Sequence, residues 1–142
     1  MFFRRILIAL DDSAIAAHAV EVGTELATAL KAQAALIHVV NPTLAIQPDT
    51  GIPAAERVAM LKREGQSFLA TAAQRTGEPP AWQFLREGKP AEQILAAARE
   101  WDADVIVIGT HGRTGLSKLF MGSIAGKVVS AAQCPVLTVR GK

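Results

Sequence analysis

Two rhythms alternate along this chain. Apolar runs end at five places: "RILIAL" at Leu10, "AALIHVV" at Val40, "AWQFLRE" at Glu87, "DVIVIG" at Gly109 and "PVLTVR" at Arg140. Each is strand length, and most are continuous Val, Ile and Leu instead of an in-out alternation, which is the pattern of strands covered on both faces by helices. Between the runs the apolar positions recur with helical period. After Asp12 and Ser13, which can cap free backbone N–H groups, Ile15, Ala19, Val22, Leu26 and Ala29 form one stripe. Val58, Leu61, Phe68, Leu69 and Ala72 form a second between Pro53 and Thr76. Within it Gly65 costs about 1 kcal/mol of helix propensity, and Gly77 marks the stop. "GKPAEQILAAAREW" sets Pro90 in a first helical turn and turns Ile94, Leu95 and Ala98 inward. A fourth stripe, Ile124, Val128, Val129 and Ala132, follows Ser123 and ends at Pro135.

Strand and helix therefore alternate five strands to four helices, which predicts a three-layer α/β/α, doubly wound domain with a parallel sheet. Residues 41–53, "NPTLAIQPDTGIP", fit neither rhythm and are expected to be a surface excursion: a flap beside a site, or a connection without a role. At 142 residues and half apolar, the chain has the size of one domain, spanning 1–142, that buries roughly two-thirds of its unfolded surface.

Charge and cysteine content narrow the partners. Fifteen basic and 13 acidic residues give a formal charge of +2 and lie scattered, so no basic stripe points to nucleic acid or a membrane surface. The longest apolar run near the N-terminus, Ile6 to Leu10, is too short for a signal-peptide core or a membrane span, so a cytoplasmic protein is expected. One cysteine, Cys134, excludes an internal disulfide and fits a reducing compartment, with the thiol a buried filler.

Candidate chemistry concentrates in "VIVIGTHGRTGLSKLFMGS", residues 105–123. Gly109 and Gly112 allow a sharp turn and a close backbone approach to a ligand. Gly122 and Ser123 open a helix whose first N–H groups are unpaired and partly positive, a setting that binds phosphate. Arg113 and Lys118 add cationic donors, the arginine as a planar fork. Opposite them Asp11, at the end of the first strand, is suited to accept hydrogen bonds from a ribose diol. Together the two ends suggest a nucleoside phosphate across the crevice where strand order reverses. Each part also has a purely structural reading: the glycines shape a turn, Ser123 caps, Arg113 and Lys118 are solvated. Neither the G-x-x-x-x-G-K-[ST] loop nor G-x-G-x-x-G after the first strand is present, which argues against a Walker nucleotidase or a dinucleotide dehydrogenase.

Gly109-x-x-Gly112, nine residues, then Gly122-Ser123 resembles the G-2x-G-9x-G-[S/T] signature of the ATP-binding branch of the universal stress protein family. The likeness extends through "ILIALDDS", "LIHVV", "EGKPAEQIL" and "CPVLTV", nearly the whole chain. It implies an adenine nucleotide alpha hydrolase-like fold with strand order 3-2-1-4-5 and ATP, alone or with Mg²⁺, between strands one and four. Carried over by position, Ala9, Asp11 and Val39 line the adenosine pocket, with Asp11 on the ribose and the Val39 backbone at the adenine edge. Ile108 and Gly109 flank base and ribose. Gly112, Arg113, Gly122, Ser123 and Ile124 surround the phosphates, and His111 stands in the same loop. Two positions depart from common family forms: Ala9, where proline often sits, and Asp12, whose extra carboxylate weakens ATP binding or favours a metal-bound form. The family's homodimer has a counterpart in the last strand, whose Val136, Leu137 and Val139 carry no charge before Arg140.

With the resemblance added to the residues, three functions remain open. One is a nucleotide-dependent stress-signalling dimer with at most slow hydrolysis. Another is a Mg²⁺-dependent ATPase or phosphotransfer enzyme using His111 or Asp11, and the third is a dimeric scaffold without nucleotide. No dedicated catalytic set is visible, and His18 and His38, remote from each other and outside any metal-ligand spacing, are expected to be structural. An adenylating enzyme of similar topology ranks last, because the S-G-G-x-D-S loop is missing after the first strand.

Overall fold

The computed structural model describes residues 2–10, 14–45, 51–110 and 123–140. In chain order the elements are β1 (Arg5–Leu10), α1 (Ala14–Leu30), β2 (Gln33–Val40), a 3-10 turn (Pro42–Ala45), α2 (Ala54–Gln74), β3 (Trp82–Glu87), α3 (Pro90–Glu100), β4 (Val105–Gly109), α4 (Ser123–Ala131) and β5 (Val136–Val139). The five apolar runs are the five strands. All pairs are parallel and the sheet order is β3-β2-β1-β4-β5, so β1 is central and the direction of winding reverses between β1 and β4.

Continuous apolar strands do here what parallel sheets require: they feed two cores at once. Ile6, Ile8 and Leu10 of β1 join Leu36 of β2 and Val105 and Val107 of β4 under α1 and α2. Leu7 and Ala9 join Ala35, Ile37, Ile106 and Ile108 under α3 and α4, whose buried faces contribute Ile94, Ala97, Ala98, Ala125 and Val128. Among the described residues no polar or charged residue is fully buried.

The helix faces refine the expected stripes. On α1 the buried positions are Ala16, Ala19, Val20, Gly23 and Ala27, with Val22 and Leu26 packed at the margin and Ala29 exposed, so the stripe turns away from the sheet at its last position. α2 buries Gly65, Leu69, Ala72 and Ala73, and Gly77 follows at φ +101°, as a helix stop requires. α3 starts with Pro90 in its first turn, where the missing N–H has no partner to lose. In the irregular stretch after β2, Asn41 Oδ1 accepts a hydrogen bond from the Thr43 N–H at 3.1 Å, closing a local turn ahead of the 3-10 segment. Of the rest of the excursion, residues 46–50 lie outside the described residues.

A polar clamp at the amino end of the sheet sets the β1–β4 register. Asp104 Oδ2 accepts from the Arg4 and Arg5 N–H groups at 2.8 and 2.9 Å, while the Asp104 N–H donates to the Arg5 carbonyl at 2.8 Å. Arg5 Nη1 donates to the Trp101 carbonyl at 2.7 Å and the guanidinium lies 5.7 Å from the Trp101 ring centre.

Candidate functional site at the strand-order reversal

The reversal leaves the carboxyl ends of β1 and β4 side by side, with no helix crossing directly between them, the place where open α/β sheets receive ligands. Ala9 and Ile108 are lateral partners there, and Ala9 also pairs with Ile37. Both are 5 % exposed, so they form a packed floor whose main-chain ends, more than side chains, face the crevice. Val39 stands one position beyond the last β1–β2 pair, half-buried, and packs on the same apolar layer as Ala9 and Ile108. Ile124, in the first turn of α4, packs on that layer as well. Four of the candidate positions thus converge on one face of the sheet, drawn from β1, β2, β4 and α4.

Gly109 ends β4, and Ser123, exposed, is the first residue of α4. Its hydroxyl and the unpaired N–H groups of the first turn are donors without intrahelical acceptors. Asp11, Asp12, Ser13, His111, Gly112, Arg113, Lys118 and Gly122 lie outside the described residues. The apolar floor suits the flat body of a base or sugar, and the donors of Ser123 suit an anion.

Two contacts that brace this lip escaped sequence reasoning. Thr110 donates through both its N–H (2.8 Å) and its hydroxyl (3.2 Å) to the Val139 carbonyl, tying the end of β4 to the end of β5 just before the glycine loop. On the other side, His38 Nδ1 donates to the Leu10 carbonyl at 3.1 Å. Threonine at a strand end is a weak signal for the first; nothing local signals the second. His18 is 3.4 Å from Glu21 on α1. Among the described residues no three His, Cys, Asp or Glu side chains group closely enough to hold a metal ion.

Two grooves lie at the opposite, amino end of the sheet. One, of about 320 Å³, runs past Arg99, Asp102 and Cys134; the other, of about 370 Å³, runs past Lys31, Thr76 and Trp82. Neither contains a residue of the glycine motif or of the β1 end. Cys134 is half-buried, and burial pushes its thiol up from the ordinary range, with the charge of Asp104 acting in the same direction.

Residues 2–140 match the model of the Universal stress protein family. The chain belongs to that family. A universal stress protein of Thermus aquaticus is 39 % identical over 140 residues, covering 97 % of this chain and 99 % of the relative. A solved member of the family from Burkholderia pseudomallei is 30 % identical, covers 97 % of this chain and 96 % of its own, and superposes with a TM-score of 0.74. More distant members share the fold. A universal stress protein in complex with cAMP is 20 % identical over the whole of both chains at a TM-score of 0.70. One from Archaeoglobus fulgidus in complex with dAMP is 23 % identical at a TM-score of 0.64, with 97 % and 98 % of the chains covered. The five-stranded sheet in order 3-2-1-4-5 with four helices is the family's architecture. Among the described residues no helix is long and apolar enough to cross a membrane.

Proposed function

We propose that this member of the family binds ATP across the β1–β4 reversal and acts as a homodimer that reports nucleotide state. The observation that carries the reading is the complete motif Gly109-x-x-Gly112, nine residues, Gly122-Ser123, running from the last residue of β4 into the first turn of α4. Such a motif offers a triphosphate main-chain N–H groups with few side chains in the way, at a helix terminus that favours negative charge. In this assignment Ala9, Val39, Ile108 and Gly109 take the adenosine, Asp11 accepts from the ribose, and Gly112, Arg113, Gly122, Ser123 and Ile124 hold the phosphates beside His111. The relatives solved with cAMP and dAMP support an adenine nucleotide as the ligand class. Mg²⁺ would be held between phosphate oxygens and a carboxylate such as Asp12, and would supply charge neutralisation.

The direct test is the mass of any nucleotide released when freshly purified protein is denatured, followed by calorimetric titration with ATP. Micromolar or tighter ATP binding is expected. Gly122→Val, which puts a branched side chain at the phosphate position, should lower affinity at least about 100-fold, the loss of more than two good hydrogen bonds, with an unchanged circular dichroism spectrum. Equal ATP affinity in wild type and variant removes the glycine motif from the site.

A further inference from the structure

The lip of the crevice is braced from the face away from Ala9 and Ile108. Successive residues of a strand point to opposite faces, so Val39 packs with the α3–α4 layer while His38 points to α2. Three things surround the His38 ring. Its Nδ1 stands 3.1 Å from the carbonyl oxygen of Leu10, the last residue of β1 and the lateral partner of His38 in the parallel register. Its plane meets the Phe68 ring of α2 edge-on, with centroids 5.5 Å apart and an interplanar angle of 71°. The space it fills exists because α2 carries glycine at 65: a Cβ there would lie 2.9 Å from His38 Cδ2 and 2.9 Å from Leu85 Cδ1.

Packing alone does not call for imidazole at this position. A leucine would cover Phe68 and Leu85 without bringing a polar ring onto this half-buried face, where burying a nitrogen is unfavourable unless a hydrogen bond replaces the one lost to water. What imidazole adds is the bond to Leu10. A carbonyl only accepts, so Nδ1 carries the proton. The Leu10 carbonyl shares one rigid peptide plane with the N–H of the next residue, Asp11. The β1–β2 ladder brings the Val39 N–H to the same oxygen, so the imidazole is a second donor there and stiffens the peptide plane on which β1 ends.

We propose that His38 is a positioning residue of the nucleotide site, which, through the Leu10 carbonyl, sets the peptide plane from which Asp11 departs and so governs the hold on the ribose diol. This rests on the assignment of Asp11 to the ribose made above. His38 touches no ligand; its effect is on selectivity for the sugar.

Affinities for ATP and for 2′,3′-dideoxy-ATP, which lacks the diol, measure that selectivity. Wild type should prefer ATP. His38→Leu should lose about fivefold or more of the preference, the size of one ordinary hydrogen bond, whereas a purely structural role would weaken both ligands alike. His38→Asn, whose amide N–H reaches close to the place of Nδ1, should keep the preference within about twofold. An unchanged preference in folded His38→Leu, or equal losses in the Leu and Asn variants, overturns the role of His38 and leaves the nucleotide site intact. Wild type that binds ATP with no preference over the dideoxy analogue removes Asp11 from the ribose instead, and this inference with it. Should the Leu variant not fold, long-range ¹⁵N–¹H correlation on ATP-bound wild type at about pH 8 decides: the Nδ1-protonated ring is expected, and an Nε2-protonated ring overturns the bond.

Discussion

Gly23 and Gly126 are both interior helix glycines, yet their surroundings predict opposite effects of alanine. A Cβ at Gly23 would sit 2.5 Å from Ile8 Cδ1 and 2.6 Å from its Cγ1, and Ile8 is fully buried in the central strand. Alanine normally gains about 1 kcal/mol over glycine in a helix. Overpacking at such distances costs about 1–3 kcal/mol, and Ile8 has nowhere to retreat between α1 and the sheet. Gly23→Ala should therefore destabilise by up to about 2 kcal/mol net, read as a lower urea midpoint at constant slope. At Gly126 no described residue comes within 4 Å of the added methyl, so Gly126→Ala should raise the midpoint by about 0.5–1 kcal/mol. The same sign for both would show that local propensity, not close approach, governs these sites. Asp104 makes the second residue-scale case. Asp104→Ala strips the acceptor from two main-chain N–H groups and should cost about 1–3 kcal/mol in the same assay. Asp104→Asn, which keeps an acceptor oxygen, should recover at least half of that loss.

Strands were the most legible elements, because a strand buried on both faces announces itself by an unbroken apolar run, and Val105–Gly109 and Arg5–Leu10 coincide with such runs within a residue. Helix extents were equally legible, but their faces less so. Ala29 has helical spacing and yet is exposed, because spacing does not say where a helix parts from the sheet. In sequence Gly65 reads as a pure cost, whereas in the fold it makes room for His38 and Leu85. The same reason accounts for the site. The glycine motif is local and could be seen directly, whereas Thr110–Val139 and His38–Leu10 join residues 29 and 28 apart whose meeting depends on strand register. α3 supplies a prediction at this scale. It starts without a side-chain cap: Lys89 occupies the N-cap position in extended conformation (φ −78°, ψ 125°), and its positive charge faces the positive end of the helix dipole. Lys89→Asp adds the missing acceptor and reverses the charge, so it should stabilise by about 1 kcal/mol and raise the melting temperature by about 2–6 °C. A lower melting temperature would mean that Lys89 makes a contact worth more than the cap.

The two edges of the sheet are built differently, and the difference bears on assembly. β3, one edge, is flanked by ion pairs on both faces: Arg86 Nη2 lies 2.6 Å from Glu100 Oε2 and Lys62 Nζ lies 2.7 Å from Glu87 Oε2. Charged side chains along an edge oppose pairing with another chain, since docking would strip their water. β5, the other edge, has no charge within Val136–Val139. Leu137 on it is 37 % exposed and Val129 on the adjoining α4 is 41 % exposed. Free main-chain N–H and C=O groups bordered by apolar side chains are the arrangement that strand pairing across a two-fold axis completes, each β5 lying antiparallel to its copy. Four residues of strand give too few hydrogen bonds for a stable contact by themselves, so in the proposed dimer Leu137 and Val129 would supply apolar burial as well. Leu137→Lys places a charge in the centre of that surface twice over, once from each copy. It should convert a dimer to a monomer at micromolar concentration in light scattering, because two buried like charges cost several kcal/mol. ATP affinity of the monomer should stay within a few-fold of wild type, since Leu137 belongs to none of the positions assigned to the ligand. A Leu137→Lys protein that remains dimeric moves the interface to another surface, and one that loses nucleotide together with the dimer makes the site dependent on the second copy.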